Sequence, residues 1–278
     1  MRRVSFNRIK CLDAYANQIK RMYTGNQNEL ILVCQKAEGK PYIIQWNGSD
    51  NYRKHTQLSH VIDLQKLLFV QNIQNNWLLI NHEDSDNAYI LNEEGKVMHQ
   101  FYVGDGIQNC QVDDENNIWI SYFDEGIFSE TEICWDGIIA FDCYGQIVFK
   151  EYGKFVDELG IPSIDDCYAM NVNGNEVWLY YHSEYPLVCI KNKKLYQWWP
   201  EVTIGTYHDS NGFAVGKDKV LFATNRGKLV LYSCITNKTE TVIPYNELNE
   251  EITFISYVGQ GSALYLQTTE GVYIIDLQ

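Results

Sequence analysis

The sequence predicts an all-β fold built from repeated four-stranded units, and three observations carry that expectation. Runs rich in β-branched and aromatic residues recur along the chain, each bounded by Asn, Asp and Gly. Corresponding positions in the second strand of each unit, Ile31, Leu78, Trp119, Trp178, Leu221 and Tyr265, lie 47, 41, 59, 43 and 44 residues apart. Aromatics make up 14% of the 278 residues, with 20 Tyr and 7 Trp, which suits pleated strands better than helices. A period in the low forties with four strands per unit is that of a propeller blade. The expected architecture is therefore a single β-propeller over residues 1–278, with six blades of four antiparallel strands.

The units follow in order. The first has strands at Leu30–Val33 and Tyr42–Trp46, separated from their neighbours by Gly25-Asn26-Gln27-Asn28 and Asn47-Gly48-Ser49-Asp50. The second has Trp77–Ile80, Ala88–Leu91 and the turn Asn92-Glu93-Glu94-Gly95. In the third, Ile107–Val112, Ile118–Phe123, Ile138–Phe141 and Ile147–Phe149 form a meander whose middle connection is long and acidic. That connection and its neighbours account for the widest spacing. Val177–Tyr181, Pro186–Ile190 and Leu195–Trp198 make the fourth unit. Val220–Ala223 and Leu229–Tyr232 mark the fifth, Leu264–Gln267 and Val272–Ile275 the sixth.

The sixth unit shows only three strands, whereas residues 3–9 at the N-terminus read as a strand with no partner of its own. An open sheet edge is a liability that pairing removes. The N-terminal strand is therefore expected to complete the last blade and close the ring. Seven blades remain an alternative, if residues 11–23 and the 153–164 loop hold further strands. These repeats resemble the YVTN and quinoprotein-like β-propellers, a resemblance of period and strand pattern across nearly the whole chain. The units do not repeat the Gly-His and Trp-Asp signatures of tryptophan–aspartate repeats.

Composition narrows the function classes. A formal net charge of −14 opposes binding to nucleic-acid phosphates and anionic membranes, so neither is an expected partner. The basic N-terminus has no apolar run behind it, so no signal peptide is expected, and no segment approaches membrane-spanning length. The eight cysteines form no Cys-x-x-Cys pair and are spread through predicted strands. Free thiols in a reducing, cytoplasmic setting are the expected arrangement. A monomer is the default.

Alternation of strand direction sorts the loops onto two faces. The turn Asp113-Asp114-Glu115 falls on one and reads as an ordinary tight turn. The other collects Gly104-Asp105-Gly106, the acidic connection with Asp124, Glu125, Trp135 and Asp136, and His82, His182 and His208 from three further units. Converging carboxylates repel unless solvated, protonated or neutralised by a cation. Asp105, Asp124 and Glu125 are thus candidate ligands for a divalent cation such as calcium, which takes oxygen donors from loops. No cofactor at all, with a solvated acidic rim, is the plainer expectation. The histidines are candidate ligands or bases, and Tyr122 with Phe123, Phe128, Trp135, Tyr180, Tyr181 and Tyr185 offers aromatic recognition surface.

No Gly-x-Ser-x-Gly elbow, phosphate-binding glycine loop or His-Glu-x-x-His occurs. The leading expectation is a non-catalytic binding module that recognises a small molecule or a protein above the third blade. A metal-assisted lactonase-, esterase- or lyase-like enzyme, as among six-bladed lactonase-like propellers, is the competing one.

Overall fold

The computed structural model describes residues 2–25, 29–49, 53–56, 62–205 and 210–278. Among these residues there are six sheets, and the fold is a six-bladed β-propeller, nearly all β. The chain divides into two compact units: Gln57–Glu201, and Met1–Thr56 with Val202–Gln278.

The unit Gln57–Glu201 holds the second, third and fourth blades. Their strands are Leu67–Ile73, Asn76–Asn81, Ala88–Leu91 and Val97–Phe101; then Ile107–Val112, Ile118–Tyr122, Ile138–Phe141 and Ile147–Phe149; then Ala169–Asn173, Glu176–Tyr180, Leu187–Lys191 and Lys194–Trp199. Each set is an antiparallel meander. The first strands of the three blades lie side by side, and buried amides stitch them together. Gln71 Nε2 donates to the Cys110 carbonyl at 3.2 Å, and Gln111 Nε2 to the Met170 carbonyl at 3.4 Å. Gln111 Oε1 in turn accepts the Val172 N–H at 2.7 Å. Each of these bonds meets a donor or acceptor that burial has cut off from water. A continuous apolar core containing Leu78, Trp119, Tyr122, Phe141, Leu179 and Ile190 joins the three blades.

The other unit holds the first, fifth and sixth blades, with strands such as Glu29–Cys34, Lys219–Ala223 and Ala263–Gln267 at their centres. Here the N-terminus corrects one expectation. Residues 3–9 do not form one strand. Arg2–Ser5 pairs in parallel with Lys238–Tyr245 and becomes a fifth strand of the fifth blade, and only Asn7–Arg8 pairs antiparallel with Val272–Asp276 to complete the sixth. Phe6 sits between the two pairings with no exposed surface, its N–H on the Tyr245 carbonyl at 2.8 Å. Burying this one ring between two sheets turns the chain from one edge to the other.

The segments that had left room for a seventh blade add no further blade: Ile19–Gly25 is the first strand of the first blade, and the rest is largely helical. Lys10–Gln18 is 3-10 helix, and Tyr152–Leu159 is an α-helix. The acidic connection also holds a four-residue helix α1, Asp124–Ile127, and a 3-10 turn, Glu132–Cys134. The Tyr152–Leu159 helix is α2 below. All eight cysteines are thiols, none in a disulfide.

Candidate functional site

The third blade meets the second, within one compact unit, around a cavity of about 410 Å³. Its walls come from the connection at 81–87, the loop 104–107 and the start of α1. The loop 104–107 is held rigidly. Asn87, buried at the edge of the second blade, donates through Nδ2 to the Gly104 carbonyl at 2.8 Å and accepts the Val103 N–H through Oδ1 at 2.9 Å. Tyr122, fully buried, donates its hydroxyl to the Val103 carbonyl at 2.5 Å. Phe123 N–H donates to the Gly106 carbonyl at 2.9 Å. Gly106, at φ +59°, lies so close to α1 that a Cβ there would collide with the backbone of Gly126; one on Gly126 would strike the Asp105 carbonyl oxygen. Two glycines thus let α1 close against the loop and set one wall of the cavity.

The polar lining is mostly acidic. Glu83, Asp84, Asp105 and Glu125 contribute carboxylates, with His82 beside them and Leu68, Ile107 and Phe123 as apolar surface. Glu83 accepts the Tyr89 hydroxyl at 2.5 Å and the Lys66 ammonium at 3.1 Å, and these two bonds, the tyrosine's first, hold its carboxyl below the usual range. Asp105 accepts the Thr131 hydroxyl at 3.2 Å. Burial, aided by the hydrogen bond to Asp105, pushes the Tyr102 phenol up to about 12. Asn81 Oδ1, in the cavity wall, is buried with no hydrogen-bond partner among the described residues.

The structure therefore brings His82, Asp105 and Glu125 to one cavity and distributes the other candidates. Asp105, Asp124 and Glu125 do not gather into one cluster. Successive residues of a helix point about 100° apart, so Glu125 borders the cavity while Asp124 is coupled to Asp166 on the next connection. Among the described residues no three His, Cys, Asp or Glu side chains are grouped so as to hold a metal ion. Tyr122 supports the loop from beneath and exposes nothing to a ligand. Trp135 is half exposed, its indole N–H on the Ser129 carbonyl at 2.9 Å, and Asp136 lies beside Gly153 in α2. His182 is exposed near Asp166. His208 lies outside the described residues.

Asn81, Asn87, Asp166 and Tyr168 had not been singled out from the sequence. Asp166 is the most perturbed carboxyl. Burial, with the Asp124 charge adding and His182 opposing, raises it from 3.8 to about 6. Because the folded protein holds this proton more tightly than the unfolded chain does, the stability it contributes is complete below about pH 4 and declines as pH rises to about 6. Melting temperature followed across pH 4–7 should show that decline in wild type and a shallower one in Asp166→Asn.

Fold and site together define a β-propeller carrying a small acidic cavity between two neighbouring blades. Residues 138–275 match the model of the YxzG family. No curated protein matches the chain. Among solved structures, it is similar to XC5397 of Xanthomonas campestris, described as a gluconolactonase, at 9% identity over 95% of this chain and 88% of that one, with a TM-score of 0.51. It is also similar to the extracellular domain of BT4673 from B. thetaiotaomicron, described as a hybrid two component system, at 12% identity over 94% of this chain and 34% of that one, TM-score 0.51. The extracellular domain of BT3049 from the same organism matches at 12% identity over 94% and 39%, TM-score 0.50. The chain spans about a third of the length of the BT4673 domain. At these identities the likeness is one of fold. Among the described residues no helix is long and apolar enough to cross a membrane.

Proposed function

We propose that the chain is a non-catalytic binding module whose cavity between the second and third blades holds a small cation rich in hydrogen-bond donors. One observation carries this reading: Glu83, Asp84, Asp105 and Glu125 line the cavity together with Asn81, whose buried Oδ1 accepts no bond among the described residues. Glu83 is already paired with Lys66; an amine or guanidinium supplies countercharge to Asp84, Asp105 and Glu125 and a donor to Oδ1, and Phe123 adds apolar lining beside them. Eight cysteines with no disulfide support a reducing compartment, although the BT4673 and BT3049 domains are extracellular. The repeat period supports a place beside the YVTN and quinoprotein-like propellers.

Thermal unfolding with agmatine, putrescine and spermidine, against glycerol as a neutral control, tests the reading. A ligand at a hundred times its Kd adds about 2.7 kcal/mol to the folded state, and that gain should vanish in Asp105→Asn/Glu125→Gln. No upward shift with any of the cations, or an equal shift in the double variant, would rule the cavity out. The full-length match to XC5397 supports the lactonase-like alternative. Hydrolysis of gluconolactone above the buffer rate, lost with chelator, would favour that enzyme over the binding module.

A further inference from the structure

A second constellation lies in the same compact unit, on the connection leading into the fourth blade and the loop that follows its second strand. Three rings meet there. Tyr168 and Tyr185 lie nearly parallel, 22° apart with centroids at 6.4 Å. His182 stands across both, 5.5 Å from Tyr185 at 89° and 6.3 Å from Tyr168 at 70°. These separations allow one cation to sit within about 6 Å of all three centroids, the range of cation–π attraction. Tyr180 backs Tyr168 from the core at 6.3 Å. His182 is exposed, and Tyr168 and Tyr185 are half-buried, so the rings form a rim rather than core packing.

Two carboxylates accompany the rings. Asp166 is half-buried, feels the charge of Asp124 and is electrostatically coupled to His182; both acids also act on the Tyr168 phenol. The His182 N–H donates to the Asp166 carbonyl at 2.8 Å, which ties the loop with the rings to the segment with the acids. The charges that shift Asp166 include no Lys or Arg; His182 alone opposes the effect of Asp124 there. Two like charges close together, one partly desolvated, are relieved by a cation placed between them and the rings.

The loop is held in a costly shape. Ser183, Glu184 and Tyr185 all have positive φ, at 83°, 65° and 53°. Three successive non-glycine residues there each carry steric cost, and such strain clusters at ligand clamps. Ser183 Oγ is buried without a hydrogen-bond partner among the described residues. The outcome of that geometry is to bring the Tyr185 ring parallel to Tyr168.

We infer that Tyr168, His182 and Tyr185, with Asp166 and Asp124, form a second binding site that takes a methylated ammonium group. Rings on several sides and carboxylates behind match a diffuse, weakly hydrated cation that offers few or no N–H donors. The cavity lined by Asp105 and Glu125, with its unpartnered acceptor, instead matches a donor-rich cation. The two sites are thus distinguished by chemistry, and the second stands whether or not the first is occupied.

Isothermal titration tests it with tetramethylammonium and choline, and with 3,3-dimethyl-1-butanol as the uncharged isostere of choline. A peptide bearing trimethyllysine forms a fourth arm and tells a protein-borne group from a free small molecule. Saturable binding of the cations is expected, with the isostere weaker by on the order of tenfold or more. Tyr185→Leu and Asp166→Asn should each weaken binding of tetramethylammonium by about tenfold, and His182→Ala, an exposed position, by less. Circular dichroism separates loss of the site from loss of the fold; if Tyr185→Leu unfolds, Asp166→Asn and His182→Ala decide the matter. Equal binding of choline and its isostere, no saturable binding of tetramethylammonium, or full affinity in the folded variants would overturn the assignment.

Discussion

Gly106→Ala is expected to lower the free energy of unfolding by about 2–4 kcal/mol, combining the strain of a left-handed residue with overpacking. The position has φ +59°, and the added methyl would collide with the backbone of Gly126, which cannot retreat as the end of a flexible side chain could. The comparison that isolates this collision is Gly160→Ala. Gly160 ends α2 at φ +67°, and an added Cβ there meets nothing within 4 Å. That variant bears only the conformational cost, on the order of 1 kcal/mol. Urea unfolding of both variants measures the difference. Equal losses would mean that the close approach of α1 to the loop 104–107 is not part of the native structure. The larger loss should come with reduced binding of agmatine, because the same approach shapes the cavity wall.

Asp113→Ala should be about as damaging, at about 3 kcal/mol, while leaving the cavity intact. The Asp113 side chain is buried in the turn between the first two strands of the third blade. Its Oδ1 accepts the N–H groups of Glu115 at 2.9 Å and Asn117 at 2.8 Å. Its Oδ2 accepts Asn117 Nδ2 at 2.9 Å and the Trp119 indole N–H at 2.8 Å. Truncation strands these donors, and each buried unsatisfied group costs about 1–3 kcal/mol. Asp113→Asn does not rescue the turn when its amide N–H₂ faces the indole donor. Trp119→Phe removes one stranded donor, so Asp113→Ala/Trp119→Phe should lose less than the sum of the single variants. Strict additivity in that cycle would show that the carboxylate and the indole do not interact.

That turn also shows how far the sequence could be read. Asp, Asn and Gly between strand-like runs identified the turns, and the spacing from Ile31 to Tyr265 identified the repeat, because both depend on local chemistry repeated many times. The role of Asp113 was less visible: an acid in a turn is ordinary, and only the fold shows that Trp119 leans its indole onto it. The N-terminus was half legible. An unpartnered strand was evident, but its division at Phe6 depends on two separate sheet edges being within reach of one short segment. Helix α2 did leave a signal that was passed over. Tyr152, Phe155, Val156 and Leu159 recur at helical spacing and are followed by glycine.

The candidate site was legible by face rather than by cluster. Alternating strands placed Asp105, Glu125 and His82 on the same side, and the structure brings all three to one cavity. Asp124 was grouped with its sequence neighbour, but the turn of α1 couples it to Asp166 instead. Asn87 and Asn81 carry no motif. They matter because one clamps the loop 104–107 and the other leaves an acceptor in the wall, and both facts arise only when two blades pack. Tyr168 and Tyr185 come together across 16 intervening positions on a backbone that a strand pattern does not foresee.

The most direct measurement of the central claim is a backbone and side-chain NMR shift map of the protein titrated with agmatine. Saturable shifts should concentrate at His82, Asn81, Gly104–Gly106, Phe123 and Glu125, and be lost in Asp105→Asn/Glu125→Gln. Shifts that are absent, that never saturate, or that cluster away from the second and third blades would contradict the assignment of this cavity as the binding site.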